Sequence, residues 1–379
     1  MTIFLLIDAA LGTIILVVHV VLCVGVALNI RHERAARRAS GAPLRPEVVV
    51  AVRDEEKVLP DLLESLRKQT VPDCLFLFVD DRSTDATGRL IDEFCREVGD
   101  RARVIHNTVE PGELTGKQAA LDRAFSCLRG DVVLLTDGDC ALPPSWAEEM
   151  VSHFTGPGIG IVLGRVELPK GKSFLEKFQA FEQPLINQYN LGSAGLSLPT
   201  GCFGNNMALR AEAVRETGGF ARLGYSVTED ALLLDAVGRS GKWKVVVCAS
   251  ARGAVVTRPQ PTWGAYVNQH TRWNAGGLFS PDIVTRLTYV LIVLVYLVGC
   301  IVVLPLGFLD WRVPVLSLNA FLCMGTLAFA SGCYPDKRRP AYFARLLPYL
   351  FFFGFFYSFV TVRALIRRPF DWKGSALRG

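Results

Sequence analysis

Acidic residues gather where short apolar runs end. Residues 47–52 (Glu-Val-Val-Val-Ala-Val) lead into Arg53-Asp54-Glu55-Glu56. Residues 75–79 (Leu-Phe-Leu-Phe-Val) lead into Asp80-Asp81-Arg82-Ser83, and residues 132–136 into Asp137-Gly138-Asp139. Three such ends converging on one crevice would repel one another unless a divalent cation or a hydrogen-bonding base sits between them. Hard oxygen ligands suit Mg2+ or Mn2+, with diphosphate oxygens completing the shell. Other chemistries lack their residues. No GxGxxG follows the first run, and no GxxxxGK[ST] phosphate loop is present. Five scattered histidines and ten cysteines without a CxxC pair argue against a zinc site and a disulfide framework.

The elements that must carry these acids follow from periodicity. The three runs read as buried strands, and residues 103–105 as a fourth. Between them lie helical stretches. Val58, Leu59, Leu62, Leu63 and Leu66 share one face of the first; the others cover residues 86–94 and 117–128. Strands alternating with helices of this length predict a parallel, doubly wound α/β sheet, in which ligands collect at the carboxyl ends of the strands. The acids stand at those ends.

Half of the 379 residues are hydrophobic, and the mean hydropathy is +0.30. That apolar excess is concentrated. Residues 9–28 carry no charge and precede Arg31, Arg34, Arg37 and Arg38, which predicts a membrane helix (about 20 residues cross the hydrocarbon) with its C-terminal end in the cytosol. A signal peptide would place its basic cluster first. Uncharged runs at 287–309, 313–334 and 346–362 predict about three further crossings. Three crossings put the C-terminus outside, whereas Arg363, Arg367, Arg368 and Lys373 favour inside. The net charge of +5 lies beside apolar runs, so we read it as a topology signal and expect no nucleic-acid partner. The expected layout is an N-terminal transmembrane helix in 1–30, a cytosolic domain in 40–280, C-terminal transmembrane helices in 284–366 and a basic tail in 367–379, all in an inner or plasma membrane.

Five motifs in order now carry a resemblance. Val79-Asp80-Asp81-Arg82-Ser83-Thr84-Asp85-Ala86-Thr87 resembles a VDDGSTDGT segment, with Arg82 where glycine is usual. Gly116-Lys117 with Ala119-Ala120-Leu121 resembles GKxxAL. Asp137-Gly138-Asp139 matches DxD, Thr228-Glu229-Asp230 matches TED, and Gln269-His270-Thr271-Arg272-Trp273 matches QxxRW. The chain resembles an integral-membrane, inverting family-2 glycosyltransferase over about residues 45–280. Its lipid-acting members, such as ceramide and carotenoid glycosyltransferases, are similar, and processive polysaccharide synthases more distantly so. The resemblance implies a GT-A fold with a Rossmann-like mixed sheet. It implies a nucleotide-sugar donor with Asp80, beside Asp81, receiving a nucleobase amide such as that of uracil, and Glu55 near base or ribose. Asp54 stands where asparagine is usual. Lys117 is expected near the diphosphate, and Asp139 with Asp137 at the metal. Asp230 is expected as general base beside Glu229, with Gln269 and Arg272 bracing the diphosphate and Trp273 facing the acceptor. Residues 201–210 are expected to line the acceptor side, and Gly218-Gly219 to form a turn.

Plainer readings exist for each residue. Asp80 and Asp81 could cap a helix, Asp137 and Asp139 could form a turn with Gly138, and Thr228 could cap the helix that follows. Arg272 and Trp273 could anchor an interfacial helix. Glu148 and Glu149 read as solvated surface, and His106, His153 and His270 as residues without chemistry. Four helices are few for enclosing a hydrated polymer path, which favours a membrane lipid acceptor over polysaccharide synthesis. Intact metal acids and base argue against a catalytically silent scaffold.

Overall fold

The computed structural model describes residues 2–36, 44–108, 112–169, 171–280, 282–298, 346–366, 370–372 and 375–377. In chain order the elements are α1 (Thr2–Ala36), β1 (Pro46–Val52), α2 (Leu59–Arg67), β2 (Leu75–Asp81), α3 (Thr87–Val98), β3 (Ala102–Asn107), α4 (Gly116–Phe125), β4 (Val132–Asp137) and α5 (Trp146–Ser152). There follow β5 (Ile159–Gly164), β6 (Val166–Glu167), α6 (Phe174–Gly195), β7 (Met207–Arg210), α7 (Ala211–Thr217), α8 (Phe220–Leu223), α9 (Glu229–Gly238) and β8 (Lys244–Cys248). The last are β9 (Val255–Val256), α10 (Trp263–Leu278), α11 (Ile283–Val298), α12 (Leu346–Leu365) and a short pair of strands, β10 (Phe370–Trp372) and β11 (Ser375–Leu377).

The main sheet runs β3-β2-β1-β4-β7-β5-β8. Its first four strands are parallel, as the alternating pattern predicts. The continuation is mixed, because β7 lies antiparallel to both β4 and β5. Residues 201–210, expected only to line the acceptor side, therefore also supply a core strand.

Side-chain alternation sorts the sheet into two faces. Val49, Ala51, Leu77, Val79, Val133 and Leu135 pack with α4, α6, α7 and α9. Val48, Val50, Val52, Phe76, Phe78 and Leu134 pack with α2, α3 and α5. The central strands β1, β2 and β4 are largely buried and apolar on both faces, as a sheet covered on both sides requires, whereas β3 is a half-buried edge strand.

One charge sits at the foot of this sheet. Glu47 is fully buried and accepts from Arg129 N–H (2.6 Å), Gly130 N–H (2.8 Å) and Arg103 Nη2 (2.7 Å). Its removal strands two backbone donors and leaves the Arg103 guanidinium with the Cys127 carbonyl alone of these two partners. Glu47→Ala is expected to lower unfolding stability by about 1–3 kcal/mol, measured by denaturant midpoint, without moving an atom of the opposite sheet edge.

Among the described residues, one helix is long and apolar enough to cross a bilayer, at Gly12–Arg31. It is part of α1, which extends well beyond the predicted span. Leu6, Ile14, Val17, Val20, Val21 and Val24 face outward, while Leu22 and Val26 are buried. The buried side lies on α6. A Cβ on Gly25 would collide with the Gly192 carbonyl, one on Gly195 with the Gly25 carbonyl, and Asn29 Nδ2 donates to Leu191 O. Small residues let these backbones meet closely. The run at 346–362 lies in α12, and the run at 287–309 begins in α11. The rest of that run, the run at 313–334 and most of the basic tail lie outside the described residues.

Candidate active site

The β1–α2 and β2–α3 loops are laced together. Asp54 N–H donates to Ser83 Oγ (3.1 Å), and Thr84 N–H donates to Asp54 Oδ1 (2.7 Å). Glu55 N–H donates to Thr87 Oγ1 (2.7 Å), Glu56 N–H to Asp85 Oδ2 (3.1 Å), and Ala86 N–H to Glu56 Oε2 (3.0 Å). Each loop holds a residue in the left-handed region, Asp54 (φ 51°) and Arg82 (φ 61°). Asparagine and aspartate tolerate that conformation, which accounts for Asp54. It also accounts for the glycine usual at position 82, where Arg82 instead forks onto Asp81 (3.3 and 3.1 Å). Asp54, Glu56 and Asp85 are thus loop struts rather than ligands.

The adjacent acids Asp80 and Asp81 part company. Strand alternation sends Asp80 to the α2/α3 face and Asp81 to the α4 face. Asp80 Oδ2 lies 2.9 Å from His106 Nδ1, and its Oδ1 accepts Ser83 N–H (3.2 Å). His106 Nε2 in turn lies 3.1 Å from Asp92 Oδ1. Burial pulls the His106 ring down, but Asp80 and Asp92 outweigh it and hold the ring above its ordinary value. Both carboxyls thus have partners in this structure, Asp80 in His106 and Ser83 N–H, and Asp81 in Arg82 and Asn107 (3.4 Å). Asp81 is 1% exposed and stands on the same face as Asp137.

Lys117 opens α4 and gathers the remaining acids. Its Nζ lies 2.7 Å from Asp137 Oδ1 and 3.1 Å from Glu229 Oε1. Burial depresses the ammonium, but Asp137, Glu229 and Asp230 outweigh it and hold it far above its usual range. One lysine thus joins DxD to TED, which lie on different elements. Across the turn, Glu55 packs on Gly138, where any Cβ would land on Glu55 Oε2. Asp139 Oδ1 is met by Thr257 Oγ1 and Cys140 Sγ, each at 3.5 Å.

Asp230 occupies the first turn of α9. Its Oδ2 accepts Gly204 N–H (2.8 Å) and its Oδ1 accepts Ala231 N–H (2.9 Å). Burial raises its carboxyl above the ordinary range and Glu229 adds to this, while Lys117, Ala231 N–H and Arg272 oppose it. Cys202 lies beside it; burial and then the charge of Asp230 push that thiol well up. Thr228 precedes α9 without a capping bond from its side chain. Arg272, on α10, donates from Nη1 to Val227 O (3.0 Å), holding the strand of chain that delivers Asp230. Gln269 and Trp273 are half-buried on the same helix.

Two residues read as bland are not. Glu149 is 5% exposed and pairs with Arg252 at 3.0 Å, whereas Glu148 is surface as expected. His270 is 1% exposed and bonded on both ring nitrogens. Gly204 and Cys202 were legible only as members of a glycine-rich stretch. The turn at Gly218 (φ 78°) and Gly219 (φ 75°) forms as expected, with Asp122 accepting Phe220 N–H (2.6 Å).

Among the described residues no three His, Cys, Asp or Glu side chains converge as a metal site. Asp137 and Asp139 alone offer two carboxylates. That donor set fits Mg2+ or Mn2+, which take one or two carboxylates with substrate phosphates and water rather than an all-protein cage.

Residues 47–218 match the model of glycosyl transferase family 2. Glycosyltransferase AglE of Haloferax volcanii is 28% identical over 138 residues, 35% of this chain and 44% of that protein. Beta-monoglucosyldiacylglycerol synthase of Nostoc sp. is 24% identical over 237 residues, 61% of this chain and 48% of that protein. The chain spans about half the length of these curated relatives. Mannosyltransferase PcManGT from Pyrobaculum calidifontis, solved in complex with GDP-Man and Mn2+, has a similar fold. Its TM-score is 0.57 at 17% identity, over 94% of this chain and 99% of that one. Residues 47–218 are accordingly a family-2 glycosyltransferase domain, and the mixed sheet is of the GT-A type.

Proposed function

We propose that the chain transfers a hexose from a nucleotide-sugar, UDP-linked, to a membrane lipid with inversion at the anomeric carbon. The observation that carries the reading is the Lys117 junction. It brings Asp137, at the end of β4, and Glu229, at the start of α9, onto one ammonium.

On this reading Asp80, beside Asp81, accepts the imide N–H of the base, with its present partner His106 giving way. Lys117 turns to the diphosphate as a point charge when the donor arrives. Asp137 and Asp139 hold Mg2+ or Mn2+, which supplies Lewis-acid stabilisation of the leaving nucleoside diphosphate. Arg272 and Gln269 approach the same diphosphate from α10, and Trp273 offers the acceptor a flat apolar face. Asp230 takes the proton of the acceptor hydroxyl as its oxygen attacks the anomeric carbon and the diphosphate departs from the opposite side. Two backbone N–H groups hold that carboxylate in place, and burial makes it more basic than an exposed one.

The lipid acceptor is supported by the outward apolar faces of α1, α11 and α12, which include Val17, Leu287 and Phe359, and by the similarity to a monoglucosyldiacylglycerol synthase. We place the domain of residues 40–280 on the cytosolic side of an inner or plasma membrane. The test uses purified chain in nanodiscs, labelled UDP- and GDP-sugars, and vesicles containing diacylglycerol or ceramide, with product mass spectrometry. A single β-hexosyl lipid is expected; a long water-soluble glycan, or binding without transfer, overturns the reading.

The pH profile follows from Asp230. A general base works ionised, so kcat falls as pH drops through its raised pKa. The acid limb of kcat is expected above the ordinary aspartate value of about 4. Lys117→Met removes a charge that holds Asp230 down, so in that variant the limb should move to still higher pH. A limb at the ordinary value in both proteins would remove Asp230 from the role.

A further inference from the structure

Glu182 lies in the middle of α6 and is 2% exposed. A carboxyl taken out of water is costly unless donors surround it. Here three donors do, and they come from two other helices. Tyr266 OH donates to Oε2, and His270 Nε2 lies 3.0 Å from Oε1, both from α10. Tyr357 OH of α12 donates to the same Oε1 at 2.6 Å. Burial and then the neighbouring Glu182 push the Tyr266 hydroxyl well up, so it stays a donor.

The seam continues along the two helices. Asn274 Nδ2 donates to His270 O (2.9 Å), and Thr361 Oγ1 donates to Asn274 Oδ1 (3.3 Å). Around it the rings close-pack, with Tyr266 stacked on Phe356 at 4.8 Å. Apolar packing of equal volume would hold three helices together as well; a polar network adds a fixed register between them.

That register reaches the reacting end of the site. Half a turn beyond His270, Arg272 holds Val227 O. One turn further, Gly276 is pressed against Thr228, where a Cβ would meet Thr228 Oγ1 at 2.7 Å. Residues 227 and 228 deliver Glu229 and Asp230. Of the other site residues, Gln269, Arg272 and Trp273 stand on α10 itself, whereas Glu55, Asp81, Lys117, Asp137 and Asp139 stand at the sheet edge and on α4.

We infer that Glu182 is a positioning residue. By clamping the QxxRW helix α10 to the last apolar helix α12, it fixes where Arg272 and Gly276 hold the segment that carries Asp230. The role rests on the reading of Asp230 as base. It makes acceptor activation, together with the hold of Arg272 and Gln269 on the diphosphate, depend on how α12 is seated.

The test uses the full chain in nanodiscs and two variants, Glu182→Gln and the milder Tyr357→Phe, which removes only the α12 arm. Amide hydrogen exchange of residues 225–232 and calorimetric binding of UDP with Mn2+ need no acceptor. Both variants should show at least about fivefold faster exchange in that segment, with UDP affinity falling by a smaller factor than kcat, because Lys117 and the acids at the sheet edge keep their places. With the donor and lipid identified by the product panel, kcat should fall about tenfold or more, and donor KM should rise by a smaller factor. Introducing Tyr357→His, which restores a donor toward Oε1, should recover part of kcat. Unchanged exchange and unchanged kcat in both variants overturn the inference, as does a lowered melting temperature accompanied by neither. If the parent chain transfers to no lipid, the exchange measurement decides the positioning role by itself, separately from the acceptor.

Discussion

Asp230→Asn will lower kcat by about three orders of magnitude while leaving metal-dependent UDP binding within about twofold. Asparagine keeps the shape and can still accept Gly204 N–H through its carbonyl, so the loop stays in place. What it lacks is a site for the acceptor proton. An unassisted hydroxyl is a poor nucleophile at neutral pH, and general-base help is worth about 10²- to 10⁴-fold. The measurement is steady-state transfer beside calorimetric titration of UDP with Mn2+. Near-parental kcat would place the base elsewhere, and lost UDP binding would mean that the substitution disturbs the Lys117 junction instead.

The second large effect concerns the cation. Chelation should lower transfer by at least about a hundredfold, with Mn2+ or Mg2+ restoring it, because the departing diphosphate then loses its Lewis acid. Asp139→Asn should behave like chelation. Asp137 and Asp139 would leave most of the cation's ligands to be supplied by phosphate and water. Cation binding should therefore be weak without nucleotide and strengthen at least about tenfold with UDP present. Calorimetry of Mn2+ with and without UDP reads this directly. Equal affinity in both conditions would point to protein ligands beyond Asp137 and Asp139, and full activity in EDTA would remove the cation from the reaction.

Much of the site could be read from sequence because its parts are local. DxD ends an apolar run, TED opens a helix, and GK begins another, so each acid or lysine falls at an element boundary. What the pattern could not deliver were relations between distant segments. Glu55 against Gly138 and Lys117 between Asp137 and Glu229 depend on strand order, which periodicity does not state. Asp80 and Asp81 illustrate the finer case. Alternation alone says that they face opposite ways, but only the packing of Val79 with α4 and Phe78 with α3 says which helices each one meets. The parallel strands were predicted, whereas β7 was missed, because four residues running directly into α7 leave too short a signal for a strand. His270 looked like a filler inside its motif, since the acid that meets it lies on another helix.

The close contact of α1 with α6 also sets an order of assembly. Asn29 and Leu191, which meet across it, are 162 positions apart. At roughly 5–20 residues per second, α1 leaves the ribosome some ten to thirty seconds before its partner has been made. During that interval Gly25 has no backbone to rest against. Helix α1 thus waits for α6 before it is seated, and a nascent chain halted before α6 lacks the backbone that Gly25 meets.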